Sequence, residues 1–191
     1  MKVGTKSLLF GVHNIVWHGI TVTLAWHHLY REWPTWKEFV CIVFHDVGLW
    51  GSPNMDGKEG EMHPVRSAQF ILKYFLNRWY PAAHFHERIE MYNLVMFHSR
   101  HFAKAVNAEP SKLCWADKYS IAYDPAWFYL LRAHLSGEIK EYREMSAKNC
   151  WGISLDESDW VWFQRGRNQM MKLGESMNPT EIGYRHEPKV D

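Results

Sequence analysis

The apolar run Phe39-Val40-Cys41-Ile42-Val43-Phe44 ends directly on His45-Asp46, and the chain then turns at Val47-Gly48. Six apolar residues in a row call for cover, whereas an imidazole and a carboxylate resist burial unless something pairs with them or binds them. Three more ionisable groups sit in the same situation. His18 lies within Trp17-His18-Gly19-Ile20, His98 ends Leu94-Val95-Met96-Phe97, and Asp117 follows Trp115-Ala116. Taken singly, each is a core residue satisfied by a hydrogen bond. Taken together, with His63 opening the segment after the loop, they point to one shared site that the fold must assemble.

The 191 residues suit a single domain with its own core. Lys and Arg number 22 against 21 Asp and Glu, a net charge of +1, which argues against holding nucleic acid by bulk electrostatics. At 47% hydrophobic and 16% aromatic, with 11 Trp, the composition belongs to a folded chain. Cys41, Cys114 and Cys150 are odd in number, far apart and free of any Cys-x-x-Cys pair. Neither a disulfide framework nor a thiolate zinc site is expected, and a reducing, cytoplasmic setting fits. No formally charged residue falls between Lys6 and Arg31, yet His13, Asn14, His18, His27 and His28 lie there, so we read the run as a buried helix and expect no membrane contact. The apolar stretch before His13 is too short for a secretory signal. The 12 His are the first sign of chemistry, since neutral imidazole is a common metal ligand.

Periodicity is helical almost throughout and no repeat is present, which predicts an all-α, single-domain helical bundle over residues 1–172 and a loosely ordered tail over 173–191. A helix through Ile15, Trp17, Ile20, Val22, Leu24, Ala25 and Leu29 should stop before Pro34. Thr35 caps a second, from Trp36 to about Asp46, apolar on all sides and therefore central. Four Gly and one Pro make Gly48 to Met62 a loop. Pro64 opens a third helix ending near Trp79, and Pro81 a fourth that leads to His98. Pro110-Ser111 starts a short helix through Asp117, Asp124-Pro125 caps one that stops at Ser136-Gly137, and Glu138 to about Lys148 forms another. A capping box, Ser154-Leu155-Asp156-Glu157, starts the last helix near 156–172.

In order along roughly residues 8–135 stand Trp17-His18-Gly19-Ile20-Thr21-Val22, Phe44-His45-Asp46-Val47-Gly48, Met62-His63-Pro64, Phe97-His98-Ser99-Arg100-His101 and Ala116-Asp117-Lys118. This set resembles the HD superfamily of metal-dependent phosphohydrolases. The resemblance implies an HD-type bundle in which His18, His45, Asp46 and Asp117 ligate a first divalent ion, while His63 and His98 bring a second close, with Asp46 shared and catalytic. It implies cleavage of a phosphomonoester or phosphodiester of a small molecule, foremost a nucleotide, by metal-bound hydroxide. The residue types make chemical sense by themselves. Imidazole and carboxylate serve Mn, Fe, Co, Ni, Zn or Mg, and six side chains leave positions on two six-coordinate ions open for water and substrate. An ion there takes the pKa of bound water from about 15.7 toward about 7 while neutralising phosphate oxygens.

Where many members of that family carry Lys after His-Asp-x-Gly, this chain has Leu49, so a phosphate-holding role would pass to Lys58 or Lys118. Arg66, Arg100, Lys104 and Lys118 lie within a turn or two of the proposed ligands. We expect Lys118, Lys104, Arg100 and His101 to contact substrate, the plainer reading being solvated surface charge. His13 competes with His18 as the early ligand; five residues apart, they cannot share one helix face, and the face of His18 continues through Val22, Ala25 and Leu29. His98 and His101 do share a face; His98 ends the apolar run, and His101 would orient it or touch substrate. The loop Trp50 to Gly57 would rim the site, with Asp56 and Glu61 as outer groups or a general acid. Trp115 and Trp127-Phe128-Tyr129 read as core. Trp160-Val161-Trp162-Phe163 is too bulky to face one side of a helix and implies cover by a partner subunit in a homo-oligomer. His27, His28, His84, His86, His134 and His186 read as surface or packing residues. Two other functions stay open: a mixed-valent di-iron oxygenase of the same superfamily, using four His and two Asp, and a non-catalytic nucleotide-sensing module.

Overall fold

A computed structural model describes residues 1–55, 57–148 and 154–177. Among them the chain is helical with no strand: α1 Val3–Phe10, α2 Ile15–Tyr30, α3 Trp36–Phe44, α4 Lys58–Glu61, α5 His63–Phe70, α6 Phe85–Met96, α7 Arg100–Ala105, α8 Lys112–Tyr119, α9 Ala126–Ser136, α10 Glu138–Lys148 and α11 Asp159–Ser176. Short 3-10 turns, Val47–Leu49 and Ser120–Tyr123, follow α3 and α8, and a π-helical stretch, Ile71–Leu76, continues α5. The all-α expectation holds, as one compact domain. No single helix among the described residues is long and apolar enough to cross a membrane; the uncharged run is divided between α1 and α2, bent by 68° at their break.

Local chemistry sets the helix ends. Asn14 accepts from the amides of Val16 and Trp17 to start α2, and Thr35 with Glu38 forms a capping box on α3. Gly137, at φ 89°, ends α9 in the left-handed conformation that glycine tolerates. Other boundaries differ from expectation. Helix α6 begins at Phe85 and not at Pro81, because His84 and Glu87 cap it there while Arg88 ties down the carbonyls of Pro81 and Ala83. Asp124 caps nothing, since its carboxylate is taken by Arg132 and Trp17. The Ser154 capping box does not form; Ser158 caps α11 by accepting from Val161, and Ser154 turns to Asp156. Helix α11 runs on to Ser176, with Leu173 and Gly174 buried, so residues 173–176 belong to the bundle; residues 178–191 of the expected tail lie outside the described residues.

At the centre α2 packs against α3, α8 and the Ser120–Tyr123 turn. Val22, Ala25 and Trp26 of α2 meet Cys41 and Ile42, Ala68 and Ile71, Met91 and Val95, and Leu113 and Ala116 in the main core. The larger of these, Val22, Ile42, Ile71, Met91, Val95 and Leu113, each contribute up to roughly 1.5–3 kcal/mol when fully buried. Helix α3 is not apolar-covered all round: Cys41 and Ile42 are buried, but Phe39 is 48% exposed. Val12, Ala126, Tyr129, Ala133, Trp162 and Phe163 join α9 to α11 in a second core. Leu8, Leu49 and Met55 pin α1 to the turn after α3. Trp115 and Tyr129 are core as expected, whereas Trp127 is 67% exposed.

Candidate metal centre

Every expected ligand comes from a helix end. His18 is in the first turn of α2, His45-Asp46 closes α3, His63 opens α5, His98 follows α6, and Asp117 lies near the end of α8. Asp46 stands among them. Its Oδ2 is 3.1 Å from His45 Nε2 and 3.5 Å from His18 Nε2, and its Oδ1 is 3.4 Å from Nε2 of both His63 and His98. Asp117 Oδ1 is 3.1 Å from His18 Nε2 and 3.7 Å from His45 Nε2. Six side chains spread over a hundred residues of sequence thus converge on one point.

Hydrogen bonds outside the cluster decide what the rings present inside it. Nδ1 of His45, His63 and His98 each donates to a carbonyl three residues upstream: Ile42 at 2.6 Å, Gly60 at 2.7 Å and Val95 at 2.5 Å. In a neutral ring Nε2 is then a bare lone pair. The Nε2 atoms of His63 and His98 are 2.9 Å apart and both face Asp46, so lone pairs and a carboxylate crowd together, which is repulsive unless a proton or a cation lies among them. His18 Nε2, His45 Nε2 and Asp46 Oδ2 are buried with no hydrogen-bond partner, a rare state for polar atoms. Three sets of donors, His13/His18/Asp46, His18/His45/Asp117 and His45/Asp46/His98, each lie within 4.8 Å of one another. These nitrogen and oxygen donors, without a thiolate, fit a divalent ion.

Electrostatics agree. Burial pushes the Asp46 carboxyl up, but His45 and His13 hold it well below the carboxylate range. Burial acts likewise on Asp117, overcome by Lys118, whose Nζ lies 2.7 Å away, and by His18. At His45 burial pulls the pKa down, yet the charge of Asp46 and the proximity of Asp117 raise it to about 10. At His98 burial wins, and the pKa falls to about 4. The cation-free cluster therefore keeps a proton on His45.

The cluster opens into a cavity of about 820 Å³. Arg100, His101, Lys104 and Lys118 line it, as do the apolar Leu49, Tyr129, Trp162, Phe163 and Met170. All four residues expected at the substrate are on its wall. Arg66 is committed elsewhere, to Ser52 Oγ and the Glu59 carbonyl, each at 2.7 Å. Glu61 lines the cavity; Asp56 lies outside the described residues. The other histidines behave as packing groups: His27 stacks on Trp33 at 4.2 Å, His28 on Tyr119 at 4.7 Å, and His134 pairs with Asp159. His186 lies outside the described residues.

The choice between His13 and His18 dissolves. His13 sits in the turn before α2, outside the helix, so both rings reach Asp46 without sharing a helix face. Sequence reasoning missed Glu138. It reads as an ordinary first-turn acid of α10, yet it is fully buried. One local trace exists: a Cβ on Gly11 would stand 2.4 Å from Glu138 Oε2, so the glycine makes room for the carboxylate. Compared with protein-family models, curated proteins and solved structures, the chain has no match.

Proposed function

We propose that the chain is a metal-dependent phosphohydrolase of the HD kind, acting on a phosphomonoester or phosphodiester of a small molecule, foremost a nucleotide. One observation carries the reading: the two oxygens of Asp46 are divided between two sets of imidazoles, at the floor of a cavity with cationic side chains on its wall. His18, His45, Asp117 and Asp46 Oδ2 would hold one ion, and His63, His98 and Asp46 Oδ1 a second. When bound, such ions supply Lewis acidity toward phosphate oxygens and a water acidic enough to ionise near neutral pH.

The chain's own groups do the rest. Backbone carbonyls fix the tautomers of three rings, so the donor set is ready before substrate arrives. Lys118 offsets the charge of Asp117 and, with Arg100, His101 and Lys104, offers hydrogen-bond donors to the phosphate oxygens. Trp162, Phe163 and Tyr129 give the apolar part of a substrate a surface to leave water for.

The test is to load the purified chain with Mn, Co, Ni, Zn, Mg or Fe, confirm bound metal by elemental analysis, and offer a panel of phosphate esters. Product release that Asp46→Asn abolishes is expected. No product from a chain with confirmed metal ends the hydrolase reading. Oxygen consumption by the iron-loaded chain would move the same four His and two Asp to di-iron chemistry, and nucleotide binding without turnover to a sensor.

A further inference from the structure

Glu138 is a buried carboxylate, 0% exposed, that the six-ligand centre does not use. Burying such a charge is costly unless it is fully hydrogen-bonded. Here Ser7 Oγ donates at 2.6 Å, the Val12 amide at 2.9 Å and the Tyr142 hydroxyl at 2.9 Å, with Ser136 Oγ beside them. The remaining partner is Nδ1 of His13, 3.1 Å from Oε1.

Proton counting fixes the proton at Nδ1 of that ring. Ser7 Oγ and Tyr142 Oη also lie near His13 Nδ1, at 3.0 and 3.3 Å, but each hydroxyl has one proton and gives it to Glu138. Nδ1 must then carry its own proton and donate it to Glu138, so that Nε2, on giving up its proton to a bound cation, presents a lone pair. That atom is 4.0 Å from Asp46 Oδ2. The separation is too long for a hydrogen bond. It suits two donors on one ion, which at roughly 2.0–2.2 Å each lie about 3 to 4.3 Å apart. His13, His18 and Asp46 form one of the sets whose donor atoms all fall within 4.8 Å.

We propose that His13 is a seventh ligand of the centre and that Glu138 is the positioning carboxylate that aims it. The inference rests on the metal-binding part of the function proposed above and is independent of the reaction. It ties the centre to α10, whose Glu138 lies 21 residues beyond Asp117, the last of the six expected ligands.

The test is Co²⁺ binding to the full chain, by calorimetry and by the visible spectrum, whose band intensities follow coordination number. His45→Ala serves as the reference for loss of the centre. We expect His13→Ala to weaken Co²⁺ binding at least tenfold and to change the band intensities. Glu138→Gln should weaken binding roughly 10- to 100-fold, as loss of an outer carboxylate does, with the intensities of the wild type kept. Unchanged affinity and spectrum in His13→Ala, with His45→Ala impaired, overturn the inference and leave the metal centre standing. If the wild type binds no Co²⁺, or His45→Ala binds like the wild type, the metal reading and this inference fall together. If His13→Ala loses its helical circular dichroism, proton NMR of the Co²⁺-loaded wild type decides: an exchangeable, paramagnetically shifted imidazole N–H that Glu138→Gln displaces supports the seventh ligand, and its absence overturns it.

Discussion

Gly48, the glycine after His45-Asp46-Val47, has a steric reason that Gly48→Ala would expose. A Cβ there would stand 2.2 Å from the carbonyl oxygen of His63, 2.8 Å from Ser67 Oγ and 2.9 Å from Arg66 Cβ. The first and last of these belong to the frame of α5 itself, so no rotamer change clears them. Reaching ordinary contact at 3.4 Å requires the Val47–Leu49 turn and α5 to part by about 1.2 Å. Gly48 is not among the residues with positive φ, so the cost is space and not backbone strain. Overpacking of this sort costs about 1–3 kcal/mol. Stretching the buried bond from the Gly48 amide to Ser67 Oγ, now 2.8 Å, adds about 1 kcal/mol. We expect a loss of about 2–4 kcal/mol, a large share of the roughly 5–15 kcal/mol of a typical domain, read from urea midpoints at constant m. Because His63 opens α5, the same retreat carries its ring away from Asp46 and should weaken divalent-ion affinity. Gly166→Ala is the control: its Cβ would meet nothing within 4 Å in the interior of α11, and it should stabilise by about 0.5–1 kcal/mol. A Gly48→Ala chain within about 0.5 kcal/mol of wild type, with undiminished ion affinity, refutes the reasoning.

The metal-free centre holds a proton on His45, where burial, which lowers the pKa, is outweighed by Asp46 and Asp117 to give about 10. A divalent ion must displace it, so apparent affinity should rise with pH from 7 toward about 10, by up to about tenfold per unit, with proton release visible by calorimetry in two buffers; a flat profile contradicts this. In the metal-free chain the same raised pKa gives stability that is full below about 6.5 and lost as pH climbs through about 10. Arg132→Leu strips the buried partner from Asp124 and the donors from the carbonyls of Gly11 and Val12, and should cost about 3–5 kcal/mol by chemical denaturation. A loss under about 1 kcal/mol would show that this buried pair is dispensable.

The helical class and five of the six converging groups were legible because their signals are local: ionisable residues inside apolar runs declare that they will be buried, and Thr35 and Gly137 mark helix ends by their own chemistry, whereas His63 was marked only by opening the segment after the loop. The faces were harder to read. Phe39 and Trp127 are as apolar as their neighbours, and only the placement of other helices leaves them in water. Position 13 looked like a rival of position 18 because both were placed on one helix, whereas Asn14 begins α2 between them. Glu138 was out of reach altogether, since its partners Ser7, Val12 and His13 lie 131, 126 and 125 residues away. Pairings at that distance leave no periodic trace.

Helix α11 gives the cavity Trp162, Phe163, Gly166 and Met170, yet none of the clustered donor atoms comes from it. The donor cluster and this one wall of the cavity are thereby written on separate stretches of one gene. A lineage could remodel that single wall, adding bulk at Gly166 or trading aromatic for aliphatic at Trp162, and so reshape the cavity while the donor cluster at its floor stays as inherited.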